Sequence, residues 1–182
     1  FNSGGSGARP NSDGLNATAF PSGVMTMPIE ATEHTGPVII WRKELRPDSG
    51  GPGKFRGGLG QFMEVGALDG YEFDFQAMFD RVKHPARGRN GASNGFSTEI
   101  KLDDGNELKG KGKQFIPHGK RVLLSFPGGG GNGNPKERNL FSVKRDLALG
   151  YISKSVARKI YGLSEKEIKH IIRDLKKGNF DD

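Results

Sequence analysis

The sequence predicts a mainly β body with hairpins and glycine-rich loops, followed by a small C-terminal helical tail, α+β overall. Three observations lead there. Phe73, Phe75, Ala77 and Phe79 alternate with Glu72, Asp74, Gln76 and Met78, the two-residue period of a half-buried strand. Asp-Gly pairs at 69–70 and 104–105 stand between apolar runs, as hairpin turns require. After Pro135 the apolar spacing changes to three and four, the period of a helix.

The elements follow in order. Residues 1–36 carry Gly4, Gly5, Gly7, Pro10, Gly14, Pro21, Gly23 and Pro28 with no strong period, so they read as irregular backbone wrapped on a larger body. Residues 37–135 form the β-rich part. Val38, Ile39, Ile40 and Trp41 are strand formers. Arg46 to Gly53 is a turn cluster rich in Pro and Gly. Gln61 to Leu68 and the alternating run at 73–79 are expected to pair as a hairpin about Asp69-Gly70. Arg81 to Phe96 reads as a loop. Ser97 to Leu102 and Glu107 to Lys111 form a second hairpin. Lys120 to Phe126 is a strand whose Val122, Leu123 and Leu124 suggest burial on both faces. The glycines of 128–133 read as tight turns needing positive φ, or as a backbone nest for an anion.

Residues 136–182 form the tail. Leu140, Phe141, Val143 and Leu147 recur at helical spacing up to Gly150, and Val156, Ile160 and Tyr161 up to Gly162. Ser164-Glu165-Lys166-Glu167 is a capping box, in which serine and glutamate each satisfy a free amide at a helix start. Ile168, Ile171, Ile172 and Leu175 supply that helix's apolar stripe, and Gly178 ends it.

Composition narrows the function. The chain has 182 residues, no cysteine and 29 glycines, which excludes disulfides, zinc ribbons and thiol catalysis and fits a cytoplasmic setting. No apolar run approaches the length of a membrane span. The formal charge of +7 invites a nucleic-acid reading, but twelve of the 28 basic and seven of the 21 acidic residues lie from Lys136 onward. They lie mostly at helical spacing with interspersed acids, the pattern of a solvated face. Nucleic acid is therefore not an expected partner.

Several chemistries fail on spacing. No P-loop is present: Gly110-Lys111-Gly112-Lys113 lacks its frame. Arg56 stands where the third glycine of a dinucleotide fingerprint would follow Gly51 and Gly53. His34, His84, His118 and His170 are scattered, so no metal site is expected within the chain. Glu30 and Glu33, one helical turn apart, read either as a carboxylate pair for acid–base work or as solvated helix-start acids. Arg9, Arg46, Arg56 and Arg81 sit beside glycine, proline or aspartate. They read as loop braces, through Arg46 with Asp48 and Asp80 with Arg81, or as contacts to an anionic substrate.

Ordered motifs carry a resemblance. They are Gly4-Gly5-Ser6-Gly7-Ala8-Arg9-Pro10 with Asp13-Gly14, Met27-Pro28-Ile29-Glu30 with Glu33, Glu44 through Gly53, Arg56-Gly57-Gly58-Leu59-Gly60, and Phe126-Pro127 followed by four glycines. Arg145-Asp146 through Gly150, Ser153, Ala157 and Tyr161-Gly162 complete the set. From residue 2 to about 163 the chain resembles the C-terminal part of the hydantoinase B/oxoprolinase family, whose members include the B-type components of N-methylhydantoinases. The resemblance implies one part of an ATP-dependent hydrolase of cyclic amides, or of a ketone carboxylase. An A-type ATPase partner, holding ATP and Mg, would phosphorylate the substrate's amide or enol oxygen. A divalent metal would belong to an N-terminal portion that this chain, beginning at Phe1, lacks. By the same resemblance, Glu30, Glu33 and Asp13 are the candidate catalytic residues. Arg9, Arg46, Asp80 and Arg81 are the candidate substrate contacts. A non-catalytic scaffold within such a hetero-oligomer is the competing expectation.

Overall fold

A computed structural model describes residues 3–19 and 23–176, the side chains of 175 and 176 excepted. A short helix, α1 (Ile29–Thr35), precedes the strands β1 (Val38–Leu45), β2 (Gln61–Ala67), β3 (Phe73–Met78), β4 (Glu99–Leu102), β5 (Lys111–Ile116) and β6 (Arg121–Ser125). A 3₁₀ turn (Pro135–Glu137) leads into α2 (Leu140–Ala148), α3 (Lys154–Lys159) and α4 (Glu165–Lys176). The mixed α+β class and the helical tail are as expected.

The strands form two antiparallel layers, a four-stranded sheet in the order β1-β2-β6-β4 and a two-stranded sheet of β3 and β5. The expected β2–β3 hairpin is not formed. Asp69-Gly70 does make a turn, with Gly70 at φ +87° and the Tyr71 amide donating to the Leu68 carbonyl. Both edges of β2 are already occupied, by β1 and β6, so the chain turns a corner and β3 crosses to the second layer. The faces of β3 are those its alternation predicts. Ala77 is buried, Phe73, Phe75 and Phe79 pack on the core, and Asp74, Gln76 and Met78 are exposed.

The second hairpin forms but is shorter than expected. The Leu108 amide donates to the Ile100 carbonyl across the Asp104-Gly105 turn, and by Lys111 the chain has entered β5. On β6 only Val122 and Leu124 are buried. Leu123 shares the outer face with charged neighbours such as Glu64 and Lys101, so this strand alternates instead of burying both faces.

Apolar burial concentrates in two places. Ile100, Leu102, Ile116, Val122, Leu124 and Phe126 fill the space between the sheets. Val143, Leu147, Ile152, Ala157, Leu163, Ile168 and Ile171 form a separate core inside the tail. Leu140 and Phe141, expected in the α2 stripe, are exposed because the helix presents Val143 and Leu147 inward. The capping box forms as expected: the Ser164 amide donates to Glu167 Oε2 and the Glu167 amide to Ser164 Oγ. The expected stripe residue Leu175 and terminator Gly178 lie outside the described side chains and residues.

A third region is rich in glycine. The segments 4–8, 49–60, 88–95 and 127–133 run beside one another, joined by backbone hydrogen bonds such as Gly58 N–H to Ser6 O, Gly129 N–H to Gly58 O and Gly51 N–H to Gly129 O. A methyl group on Gly129 would lie 1.8 Å from the Ser6 carbonyl oxygen, and one on Gly58 would lie 2.0 Å from that of Leu15. Close approach of backbones, not turn geometry, therefore explains most of this glycine. Within 128–133 only Gly133 has positive φ, which corrects the expectation of a tight turn there.

Candidate functional site

Four charged side chains meet where the glycine layer joins the tail. Asp13, on the loop after the first glycine motif, receives two N–H bonds from Arg138, Nη1 to Oδ1 and Nη2 to Oδ2, each at 2.7 Å. Its Oδ1 also accepts the Arg56 amide at 2.7 Å. Arg138 Nη2 reaches Asp146 Oδ2 on α2 at 2.7 Å, and Arg56 Nε reaches the same oxygen at 3.2 Å. The result is two guanidiniums shared between two carboxylates. The Arg56, Arg138 and Asp146 side chains are only 3%, 2% and 4% exposed, so the charges are compensated internally and not by water.

The electrostatics follow from that pairing. Burial alone would raise the Asp13 carboxyl, but the Arg138 hydrogen bonds and charge, with the Arg56 amide, hold it below the ordinary value of 3.8. Burial works against the Arg138 charge as well, yet Asp13 and Asp146 raise its pKa overall. The Tyr161 ring lies 6.0 Å from the Arg138 guanidinium carbon, and burial pushes its phenol up to about 12. Arg138 Nε is buried with no hydrogen-bond partner. A groove of about 580 Å³ opens over this cluster, with Ser12, Lys54 and Arg145 among its lining residues. The groove combines cations with a pinned carboxylate, so it suits holding and orienting a polar group better than accepting a proton. Asp13, fully engaged by Arg138, is a weak base.

The other expected site residues lie elsewhere. Glu33 on α1 accepts the Ile40 amide at 2.8 Å, beside the irregularity between Ile40 and Arg42, and Glu30 is exposed. Arg9 closes a small turn through its amide to the Ser12 carbonyl and is exposed. Arg46 is buried, with Nη2 on Glu99 at 2.7 Å and Nη1 on the Ser97 carbonyl at 2.8 Å. The expected pairing of Arg46 with Asp48 is replaced by Glu99, because Asp48 instead accepts the Ser153 amide of the tail at 2.7 Å. Asp80 pairs with Lys111 at 3.0 Å and not with Arg81, whose backbone sits at φ +60°. Asp80 also stands at the edge of a largely apolar cleft of about 560 Å³ between the sheets, lined by Met63, Phe75, Phe79 and Leu124. Among the described residues no hydrogen bond or ion pair joins Glu30 or Glu33 to Asp13.

Arg138 and Asp146 hold this cluster although the sequence patterns single out neither as a site residue. The available signal was a charge inside an apolar stripe: Asp146 falls between Val143 and Leu147, where a solvated acid has no place. Among the described residues no group of three or more His, Cys, Asp or Glu could hold a metal ion. The two clustered carboxylates are neutralised by guanidiniums, so this cluster does not fit a divalent metal. No helix among the described residues is long and apolar enough to cross a membrane.

Residues 1–135 match the family model described as hydantoinase B/oxoprolinase. The chain belongs to the hydantoinase B/oxoprolinase family. It is 32% identical over 172 residues to the B component of a putative D-/L-hydantoinase of Pseudomonas sp. (strain NS671), covering 91% of this chain and 29% of that protein. It is 30% identical over 197 residues to the acetophenone carboxylase delta subunit of Aromatoleum aromaticum (strain DSM 19018 / LMG 30748 / EbN1), covering 88% of this chain and 29% of that one. The crystal structure of the ATP-dependent caprolactamase from Pseudomonas jessenii superposes with a TM-score of 0.75 at 31% identity, over 91% of this chain and 30% of that chain. The chain thus spans under a third of the length of these family members. Membership links it to ATP-dependent amide hydrolases and ketone carboxylases.

Proposed function

We propose that the chain is the C-terminal part of a B-type component of an ATP-dependent cyclic amide hydrolase, of the hydantoinase/5-oxoprolinase kind. The carrying observation is the superposition on the ATP-dependent caprolactamase over 91% of the chain. The similarity to a hydantoinase component supports the same substrate class. In this reading an A-type ATPase partner binds ATP and Mg and phosphorylates the amide oxygen. Water then adds at the activated carbon, the ring C–N bond breaks as the nitrogen takes a proton, and a second water hydrolyses the resulting acyl phosphate to phosphate and the amino acid or its carbamoyl derivative. The complex is cytoplasmic and hetero-oligomeric, and any divalent metal sits outside this chain.

The candidate residues divide by what surrounds them. Glu30 is the free carboxylate for acid–base work, Glu33 fixes α1 against β1, and Asp13 orients Arg138 and Arg56 beneath the groove. Arg9 and Arg81 present exposed cations to the anionic intermediate, while Arg46 and Asp80 hold loops in place. The test is substrate-dependent phosphate release by the complete B-type chain with its A-type partner, offered hydantoin, 5-oxoproline and caprolactam. Turnover that falls with Glu30→Ala while assembly persists supports the reading. Absence of turnover on every cyclic amide overturns it. The similarity to an acetophenone carboxylase component favours a second reading, carboxylation of a ketone, which carbon dioxide incorporation would reveal. Full activity of Glu30→Ala and Glu33→Ala variants would leave this segment a scaffold.

A further inference from the structure

We propose that the groove between α3 and α4 is a docking site for an acidic, amphipathic segment of a partner polypeptide. The groove encloses about 340 Å³ on the helical tail, outside the residues that the family model matches. Ile168 and Ile172 line its apolar side. Lys154, Arg158 and Lys169 surround them, with Glu165 as the one carboxylate among these lining residues. Arg158 meets Glu165 at 3.6 Å, a loose exposed contact. Lys154 and Lys169 make no ion pair among the described residues, and both are exposed. The lining therefore carries an uncompensated positive charge around an aliphatic patch.

Charge complementarity selects the occupant. An aliphatic side chain seated on the half-buried Ile172, over the edge of the buried Ile168, with carboxylates on either side of it, satisfies both features at once, as in helix-in-groove recognition. A nucleic acid would gain nothing from the isoleucines, and no aromatic side chain lines the groove to stack a base. A membrane surface favours an apolar face that can sink into it, not a slot whose apolar part is flanked by cations. Exposed charges of this kind set the rate and salt dependence of association more than its ultimate strength.

The test uses the full chain and a fluorescein-labelled synthetic peptide with leucines at helical spacing and glutamates between them. Fluorescence anisotropy should show saturable binding that weakens as salt is raised. The double variant Lys154→Glu/Lys169→Glu should bind about tenfold or more weakly, with its circular dichroism unchanged, because neither lysine supports the fold. Lack of saturable binding overturns the proposal, as does equal binding by the double variant. Equal or tighter binding of the matching leucine–lysine peptide, a uridine oligonucleotide or phosphatidylserine vesicles overturns it as well.

Discussion

Asp146→Ala isolates the link between the tail and the glycine layer. The substitution removes one carboxylate whose Oδ2 accepts Arg138 Nη2 at 2.7 Å and Arg56 Nε at 3.2 Å. All three side chains are less than 5% exposed, so water cannot replace the lost partner without opening the seam. Breaking a buried pair from one side costs about 3–5 kcal/mol. Arg138 keeps its two bonds to Asp13, which places the expected loss near the lower end, about 3 kcal/mol. For a chain of this size that corresponds to a fall in Tm of roughly 6–12 °C. Urea denaturation and thermal scans followed by circular dichroism measure it. Lys113→Ala is the control: it breaks a 2.8 Å pair with Asp74 whose members are 68% and 51% exposed, and should cost under about 1 kcal/mol. Combining Asp146→Ala with Arg138→Met removes a stranded charge, so the pair should cost less than the sum of the single changes. Additivity within about 0.5 kcal/mol, or a single-variant loss no greater than the Lys113 control, would refute the reasoning.

Three further outcomes are expected. Gly129→Ala places a methyl group 1.8 Å from the Ser6 carbonyl and should unfold or strongly destabilise the chain. Gly36→Ala, in extended backbone with open space around it, should be neutral or stabilising by up to about 1 kcal/mol, and soluble yield with Tm distinguishes the two. The Asp13 carboxyl is held below 3.8 in the folded state, so its contribution is present above that value and lost as pH falls through the folded pKa. Asp13→Asn should therefore lower stability at neutral pH and flatten the acid limb below about pH 4 in a urea–pH series. The Tyr161 phenol, pushed from 10.0 to about 12, contributes stability that is present below 10 and lost as pH rises through the folded value. Tyr161→Phe should flatten the alkaline limb of the same series.

Local periodicity was the reliable signal in this sequence. Phe73 to Phe79 took the predicted faces, Ser164 and Glu167 closed their capping box, and Gly162 adopts the positive φ that suits a helix terminator. Pairing was less legible. Asp69-Gly70 is a turn in both readings, but whether the strands it joins become neighbours depends on who else claims the edges of β2. Those claimants, β1 and β6, are separated from each other by about half the chain. Glycine is legible as composition but not as conformation. Ser6, Gly58 and Gly129 lie far apart in sequence, and only the assembled layer shows that their backbones touch. The charge cluster shared that difficulty: Asp13 and Arg138 are 125 residues apart, and nothing near either position names the other.

These two long-range features are physically dependent on each other. Glycine backbones in contact bury little apolar surface, so apart from the buried Leu59 hydrophobic burial contributes little to holding the glycine layer. Its order comes from directional hydrogen bonds between segments, which leave the rims of the layer to be fixed by something else. On one side Arg46 performs that task, spanning Glu99 and the carbonyls of Ser97 and Phe126 to tie the layer to the four-stranded sheet. On the other side Arg56 and Arg138 bind it to α2 through Asp146, and Asp48 receives the Ser153 amide. Guanidiniums suit this role because each offers several donors in a rigid plane, reaching carbonyls and carboxylates from different segments at once. A lysine at any of the three positions would keep the charge and lose the fork. The arginines beside the glycine motifs are therefore part of the same construction as the glycines, and the groove over Asp13 owes its shape to both.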